Sequence, residues 1–246
     1  LLLTKPALLA GAVVWLIVAG SNTVNDIRDL PVDRLQKPHR ALPSGRLKAP
    51  TASLVAWLLF ISSLILASLI NIHTLLLAIV AIVLGVVYSL YLKSSVLVGN
   101  AVVGLLSGLA VMYGGLSVSG VNVWITLAAG IVFAFVFVRE ILKTIADLEG
   151  DSQLGISTIA TRLGSQRTLK LFFGLVVLFL IIVAIPWFME YATFRYLVTI
   201  YLGVCLPLAV AAILLWVRLS QANLHLALTL TKMAWFLGLF ALSNLR

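Results

Sequence analysis

Residues 21–46 read "SNTVNDIRDLPVDRLQKPHRALPSGR" and follow without a break on residues 6–20, "PALLAGAVVWLIVAG". The leading run is apolar enough to lie in a bilayer, and the stretch after it places Asp26, Asp29 and Asp33 at the mouth of that helix. The chain has eight acidic residues among 246, so three within eight positions concentrate a scarce residue type and call for a reason. The surroundings fix the class first. Hydrophobic residues make up 62%, charged residues 10%, and the mean hydropathy is +1.16, a composition foreign to soluble domains.

A spanning helix needs about 20 apolar residues. Residues 6–25 supply one such run; 49–92 and 94–138 are each long enough for two; 171–189, 196–217 and 219–245 supply one each, the last interrupted by Lys232. The expectation is an all-α, polytopic bundle of eight spans, forming a single transmembrane domain over 1–246. Cap loops are expected at about 26–48, 92–97 and 139–168. The chain starts at Leu1 without a signal-peptide pattern, which raises the expectation of a further helix ahead of it. Cys205 is the sole cysteine, which excludes an internal disulfide and a cysteine-based metal site.

With eight alternating spans, thirteen of the seventeen Lys and Arg fall on one side, while Lys5, Arg195 and Arg246 lie opposite and Lys232 lies within a span. The positive-inside rule makes the richer side cytoplasmic. The net charge of +9 is then a topology signal with some attraction to anionic membrane lipids. No basic soluble domain exists to bind nucleic acid.

Seven of the eight acids lie on that same side, in two groups, Asp26/Asp29/Asp33 and Glu140/Asp147/Glu149/Asp151. Each group ends a span that precedes a loop and three more spans, the outline of an internal duplication. On a helix, Asn25, Asp26, Asp29 and Asp33 share an arc of about 100°. Arg139, Lys143, Asp147 and Asp151 form a ridge of i+4 neighbours, and Glu149 points away from it. Pro31 predicts a kink near Leu30. Carboxylates crowded on one face repel, unless water or a hard divalent cation holds them. Mg²⁺ takes oxygen ligands and typically uses one or two carboxylates plus substrate phosphates. Two such faces would hold a diphosphate through Mg²⁺, with Lys and Arg neutralising the rest. The plainer alternative is that these are loop charges flanking spans.

Asn25-Asp26-xx-Asp29-xxx-Asp33 resembles the NDxxDxxxD motif of UbiA-type intramembrane prenyltransferases. The continuation "RLQKPHRALPSGRL" is similar to that family's KPxRPxPSG segment, with Ala41 where a proline is common. Residues 139–164, "REILKTIADLEGDSQLGISTIATRLG", resemble its DxxxD segment, here Asp147 and Asp151, with Ser157-Thr158-Ile159-Ala160 replacing a Thr-Leu-Pro stretch. "YSLYLKS" resembles a YxxxxK segment, giving Tyr88 and Lys93. The resemblance covers the family's second to ninth helices. It implies nine helices around a central cavity, the first outside this sequence, and magnesium-assisted ionisation of an allylic prenyl diphosphate, geranylgeranyl diphosphate first among them. An acceptor then attacks the allylic carbon. It implies that Asn25, Asp26, Asp29, Asp33, Asp147 and Asp151 lie on the metal side. Asn25, Arg40, Lys93, Arg139 and Lys143 would contact the diphosphate, and Tyr88 would face the cation.

Within the family, "REIxKxIxDxEGD" with "RxxPSGR" resembles the branch that alkylates geranylgeranylglyceryl phosphate; aromatic quinone precursors and chlorophyllide are the alternative lipophilic acceptors. An ion-coupled transporter is the alternative of another class, disfavoured because the acids sit at span ends and only the last span carries an interior charge. A CDP-alcohol phosphotransferase would carry its acids in one contiguous stretch. His39, His73 and His225 make no metal-ligand spacing. Gly104, Gly108, Gly114 and Gly115 are expected to permit close helix packing.

Overall fold

A computed structural model describes residues 4–245; Arg246 lies outside them. Among these residues the chain is helical, with no strand beyond an antiparallel bridge between Ala192 and Leu245. Eight helices are long and apolar enough to cross a membrane: Lys5–Arg28, Ala49–Ser68, Ile72–Leu92, Val98–Val118, Val123–Ala146, Ser165–Phe188, Phe194–Val217 and Gln221–Leu242. Their number and order agree with the sequence reading. One boundary differs in a way that matters. The fifth span runs on past Val138 to Ala146, so Arg139, Glu140 and Lys143 lie inside a spanning helix.

The chain divides into two compact units. The first holds the residues up to Lys93 together with Leu109–Asn122. It contains α1 (Lys5–Arg28), α2 (Leu30–Gln36), α3 (Ala49–Ser68) and α4 (Ile72–Val87), the last continued by a π-helical turn, Tyr88–Leu92. Ala10, Val13 and Ile17 recur at helical spacing along α1 and meet Ala67, Ala78 and Tyr113 in a buried core. Two glycines mark close approaches to α1 just before its acids. A Cβ on Gly20 would stand 2.6 Å from the ring of Phe60, and one on Gly85 would stand 2.7 Å from Ser21 Oγ. A larger residue at either position would force Phe60 or Ser21 to shift. At the other end, Asn71 and Thr74 cap α4 reciprocally, and Asn71 Nδ2 donates to Leu116 O at 3.1 Å.

The second unit holds Ser94–Gly108 and everything described from Val123 onward. Its elements are the first half of α5 (Val98–Val118), α6 (Val123–Ala146), α7 (Leu148–Gln153), α8 (Ile159–Leu163), α9 (Ser165–Ile182), α10 (Ile185–Phe188), α11 (Phe194–Ile200), α12 (Leu206–Val217) and α13 (Gln221–Leu242). A π-helical turn, Tyr201–Cys205, joins α11 to α12. Pro207 accounts for it, because the missing N–H leaves the carbonyl one turn back without its α-helical donor. Helix α6 is the most buried of the eight spans. Its Phe135 packs between Phe179 and Trp235, with centroids 5.8 Å away in each case. Gly104 and Gly108 bring α5 against α6, where added Cβ atoms would stand 3.0 Å from Phe133 O and 2.8 Å from Ala129 O. At Gly114 the space is open, so the packing role expected there does not hold.

Both acid segments are built the same way. A long helix ends, one aspartate breaks it, and a short helix follows: α1, Asp29, α2; and α6, Asp147, α7. The break expected near Leu30 falls at Asp29, with Pro31 in the first turn of α2.

Candidate functional site

In the first segment the backbone ladder survives the break. Asp29 N–H donates to Asn25 O at 2.9 Å and Asp33 N–H to Asp29 O at 2.8 Å. Asn25, Asp29 and Asp33 therefore stay stacked at i+4, but their side chains meet different surroundings. Asp33 is 4% exposed; Arg40 Nη1 donates to its Oδ2 at 2.9 Å, and Lys37 Nζ stands 3.6 Å from its Oδ1. Asp26 is more open, 3.7 Å from the same Arg40 nitrogen. Lys93 Nζ donates to Asp29 Oδ2. Asn25 Oδ1 is buried without a hydrogen-bond partner.

Two local devices deliver those cations. The loop after α2 folds back on itself: Leu42 is buried, Gly45 takes φ +77°, and Arg46 donates to His39 O at 2.6 Å and to Ser44 Oγ at 3.1 Å. This fixes Arg40 over the acids and uses Arg46 in doing so. Lys93 arrives through the π-turn, in which Lys93 N–H donates to Tyr88 O at 2.9 Å. An i→i+5 bond stacks Lys93 over Tyr88, where an α-helix would place the fourth residue. Tyr88 and Lys93 thus share a side, as their proposed roles require.

In the second segment, Asp147 N–H donates to Lys143 O and Asp151 N–H to Asp147 O, both at 2.9 Å, so the predicted ridge exists in the backbone. Its two basic members turn to Glu140. Arg139 Nη1 donates to Glu140 Oε1 at 3.3 Å, and Lys143 Nζ lies 3.9 Å from Glu140 Oε2. Glu140 is 9% exposed. The sequence reading grouped it with the acids and gave it no role, although the seven-residue step to Asp147 puts both on one helical face. Glu149 instead lines a separate cavity of about 410 Å³ with Ser165, Ser220 and Gln221, off the ridge as expected. Gly155 (φ +66°) ends α7, and a reciprocal Thr158–Thr161 cap starts α8. That cap explains why a Ser-Thr-Ile-Ala stretch serves at this position.

Among the described residues, no three acidic, histidine or cysteine side chains converge as a ready cation cage. The available donors still suit a hard ion. They are all oxygens, and the orphaned Asn25 carbonyl is an acceptor that a divalent cation would satisfy. His39 gives the first segment's loop its backbone carbonyl, and no histidine joins either acid group in a metal-binding cluster among the described residues.

Residues 3–242 match the UbiA prenyltransferase family. The chain belongs to that family. This UbiA prenyltransferase is 34% identical over 212 residues to the digeranylgeranylglyceryl phosphate synthase of Saccharolobus solfataricus, spanning 85% of this chain and 74% of that protein. It superposes with TM-score 0.76 and 29% identity on a structure solved in a study of digeranylgeranylglyceryl phosphate synthase in membranes, covering 96% of this chain and 84% of that one. A UbiA homolog from Archaeoglobus fulgidus, bound to DMAPP and Mg²⁺, shares the fold at TM-score 0.73 and 23% identity, over 98% and 89% of the two chains. The protein is thus a multi-pass membrane enzyme of the prenyl-transferring class.

Proposed function

We propose that this prenyltransferase moves the geranylgeranyl group of geranylgeranyl diphosphate onto the free hydroxyl of geranylgeranylglyceryl phosphate, on the cytoplasmic side of the cell membrane. The observation that carries the reading is that basic side chains gather at both Asp-xxx-Asp segments: Lys93 and Arg40 pair with Asp29 and Asp33 in the first, and Arg139 and Lys143 pair with Glu140, two turns before Asp147, in the second. The names carried by the relatives favour the acceptor.

Asn25, Asp26, Asp29, Asp33, Asp147 and Asp151 would hold Mg²⁺, which when bound supplies charge neutralisation for the leaving diphosphate. Arg40, Lys93, Arg139 and Lys143 bind the diphosphate oxygens and stabilise the charge that builds as the allylic C–O bond breaks. The ring face of Tyr88 favours the allylic cation. Attack by the acceptor hydroxyl forms the ether bond and passes its proton to the departing diphosphate, while apolar spans keep out the water that would otherwise trap the cation.

A phosphorylated acceptor needs further positive charge. Of the five basic residues on α2 and its loop, Lys37, Arg40 and Arg46 are engaged within the loop. Arg34 and Lys48 are exposed and serve the acceptor phosphate. The test is a panel: purified enzyme with geranylgeranyl diphosphate, offered geranylgeranylglyceryl phosphate, hydroxybenzoate, homogentisate or chlorophyllide, with Mg²⁺ or with excess EDTA. The glycerol phosphate is expected to be the preferred acceptor and EDTA to stop turnover. Preference for an aromatic acid or chlorophyllide overturns the acceptor, and full activity in EDTA overturns the metal role.

A further inference from the structure

Every basic side chain assigned to the diphosphate already holds a carboxylate, but the two segments arrange this differently. In the first, Lys93 and Arg40 sit on the motif acids Asp29 and Asp33. In the second, Arg139 and Lys143 both sit on Glu140, which is no part of the Asp147–Asp151 spacing. Lys143 has two acidic neighbours on its face, Asp147 one turn ahead and Glu140 one turn back, and it approaches Glu140. Helix geometry favours that choice. Cα–Cβ bonds tilt toward the N-terminus, and an acid placed N-terminal to a base is the stronger pair. Burial sharpens it, because a carboxylate as enclosed as Glu140 is costly without a cation. Asp147 makes no ion pair among the described residues.

We infer that Glu140 is a positioning residue: with Arg139 held at the same carboxylate, it draws Lys143 back along α6 and so keeps Asp147 open to a divalent cation. This rests on the metal-side role proposed for Asp147. Without the Glu140 charge, Lys143 turns to Asp147 by an ordinary i,i+4 contact, and its ammonium competes with the cation for the same oxygens. Glu140 touches neither cation nor substrate; it decides where two basic side chains wait.

The test is a Mn²⁺ titration followed by electron paramagnetic resonance, on the full chain in detergent and without substrate. The wild type is expected to bind Mn²⁺ saturably. Glu140→Gln is expected to bind about tenfold more weakly, the scale of losses when a ligand's supporting partner is removed. Adding Lys143→Met to that variant is expected to restore binding, which mere damage to α6 would not allow. Within the Lys143→Met background, removing Glu140 is expected to change nothing. Unaltered affinity in Glu140→Gln, or loss in the Lys143→Met background, overturns the inference while leaving the metal reading in place. Absence of saturable Mn²⁺ binding by the wild type overturns both together.

Discussion

Asp29 and Asp147 hold equivalent posts, each the single residue between a long helix and a short one, yet their charges are used differently. Asp29 carries Lys93, whereas Asp147 leaves its neighbouring base to Glu140. Replacing either carboxylate by the isosteric amide keeps shape and removes charge. Asp29→Asn and Asp147→Asn should each lower prenyl transfer by about a hundredfold or more, the scale set by losing one electrostatic contact to a transition state. Glu149→Gln should stay near wild type, because Glu149 faces another cavity. Initial rates in membranes, normalised to inserted protein, decide it; near-wild-type rates in either Asp variant remove that residue from the site. Spacing in the sequence was enough to stack Asn25, Asp29 and Asp33 and to turn Glu149 aside. It was not enough to assign cations to carboxylates. That depends on where a loop closes over Asp33 and on which of two acids Lys143 reaches, and both are set by tertiary burial.

At the scale of elements, the spans were legible because about 20 apolar residues act together and no single position decides. The break before α2 was legible because Pro31 forbids a regular turn. The break at Asp147 and the π-turn at Tyr88–Leu92 carry no such marker, since "YSLYL" contains neither proline nor glycine. That π-turn has a consequence for Lys93. It amounts to one residue more than an α-helical turn, so deleting Leu90, which is 39% exposed, should let the helix close as an ordinary i→i+4 turn with Lys93 still stacked over Tyr88. The deletion is therefore expected to keep most activity. An alanine inserted after Leu90 should rotate Lys93 away from Asp29 by about 100° and lower activity as far as Lys93→Ala does. Assaying the three variants side by side checks this. Equal damage from deletion and insertion would show that the turn matters for something other than the register of Lys93.

At the scale of the whole molecule, the proposed chemistry needs both acid segments on one face of the membrane, since each is assigned to the same diphosphate. Alternation of eight spans puts residues 37–48 and 154–164 on one side and the turn at 119–122 on the other. In the orientation proposed, the positive-inside rule applied to thirteen of seventeen Lys and Arg would make the first side cytoplasmic. Single cysteines test this in a Cys205→Ser background, which removes the one native thiol, itself buried. Ser44→Cys reports the loop after α2, Gln166→Cys the start of α9, and Ser119→Cys the turn after α5; all three positions are exposed. A membrane-impermeant maleimide should label the first two in inside-out vesicles only and the third in right-side-out vesicles only. An odd error in the span count between α2 and α9 would move Gln166 to the opposite face from Ser44. Labelling of those two from opposite sides would separate Asp29 and Asp33 from Asp147 and Asp151 by a bilayer. No single diphosphate could then bridge them, whatever the chemistry of each segment alone.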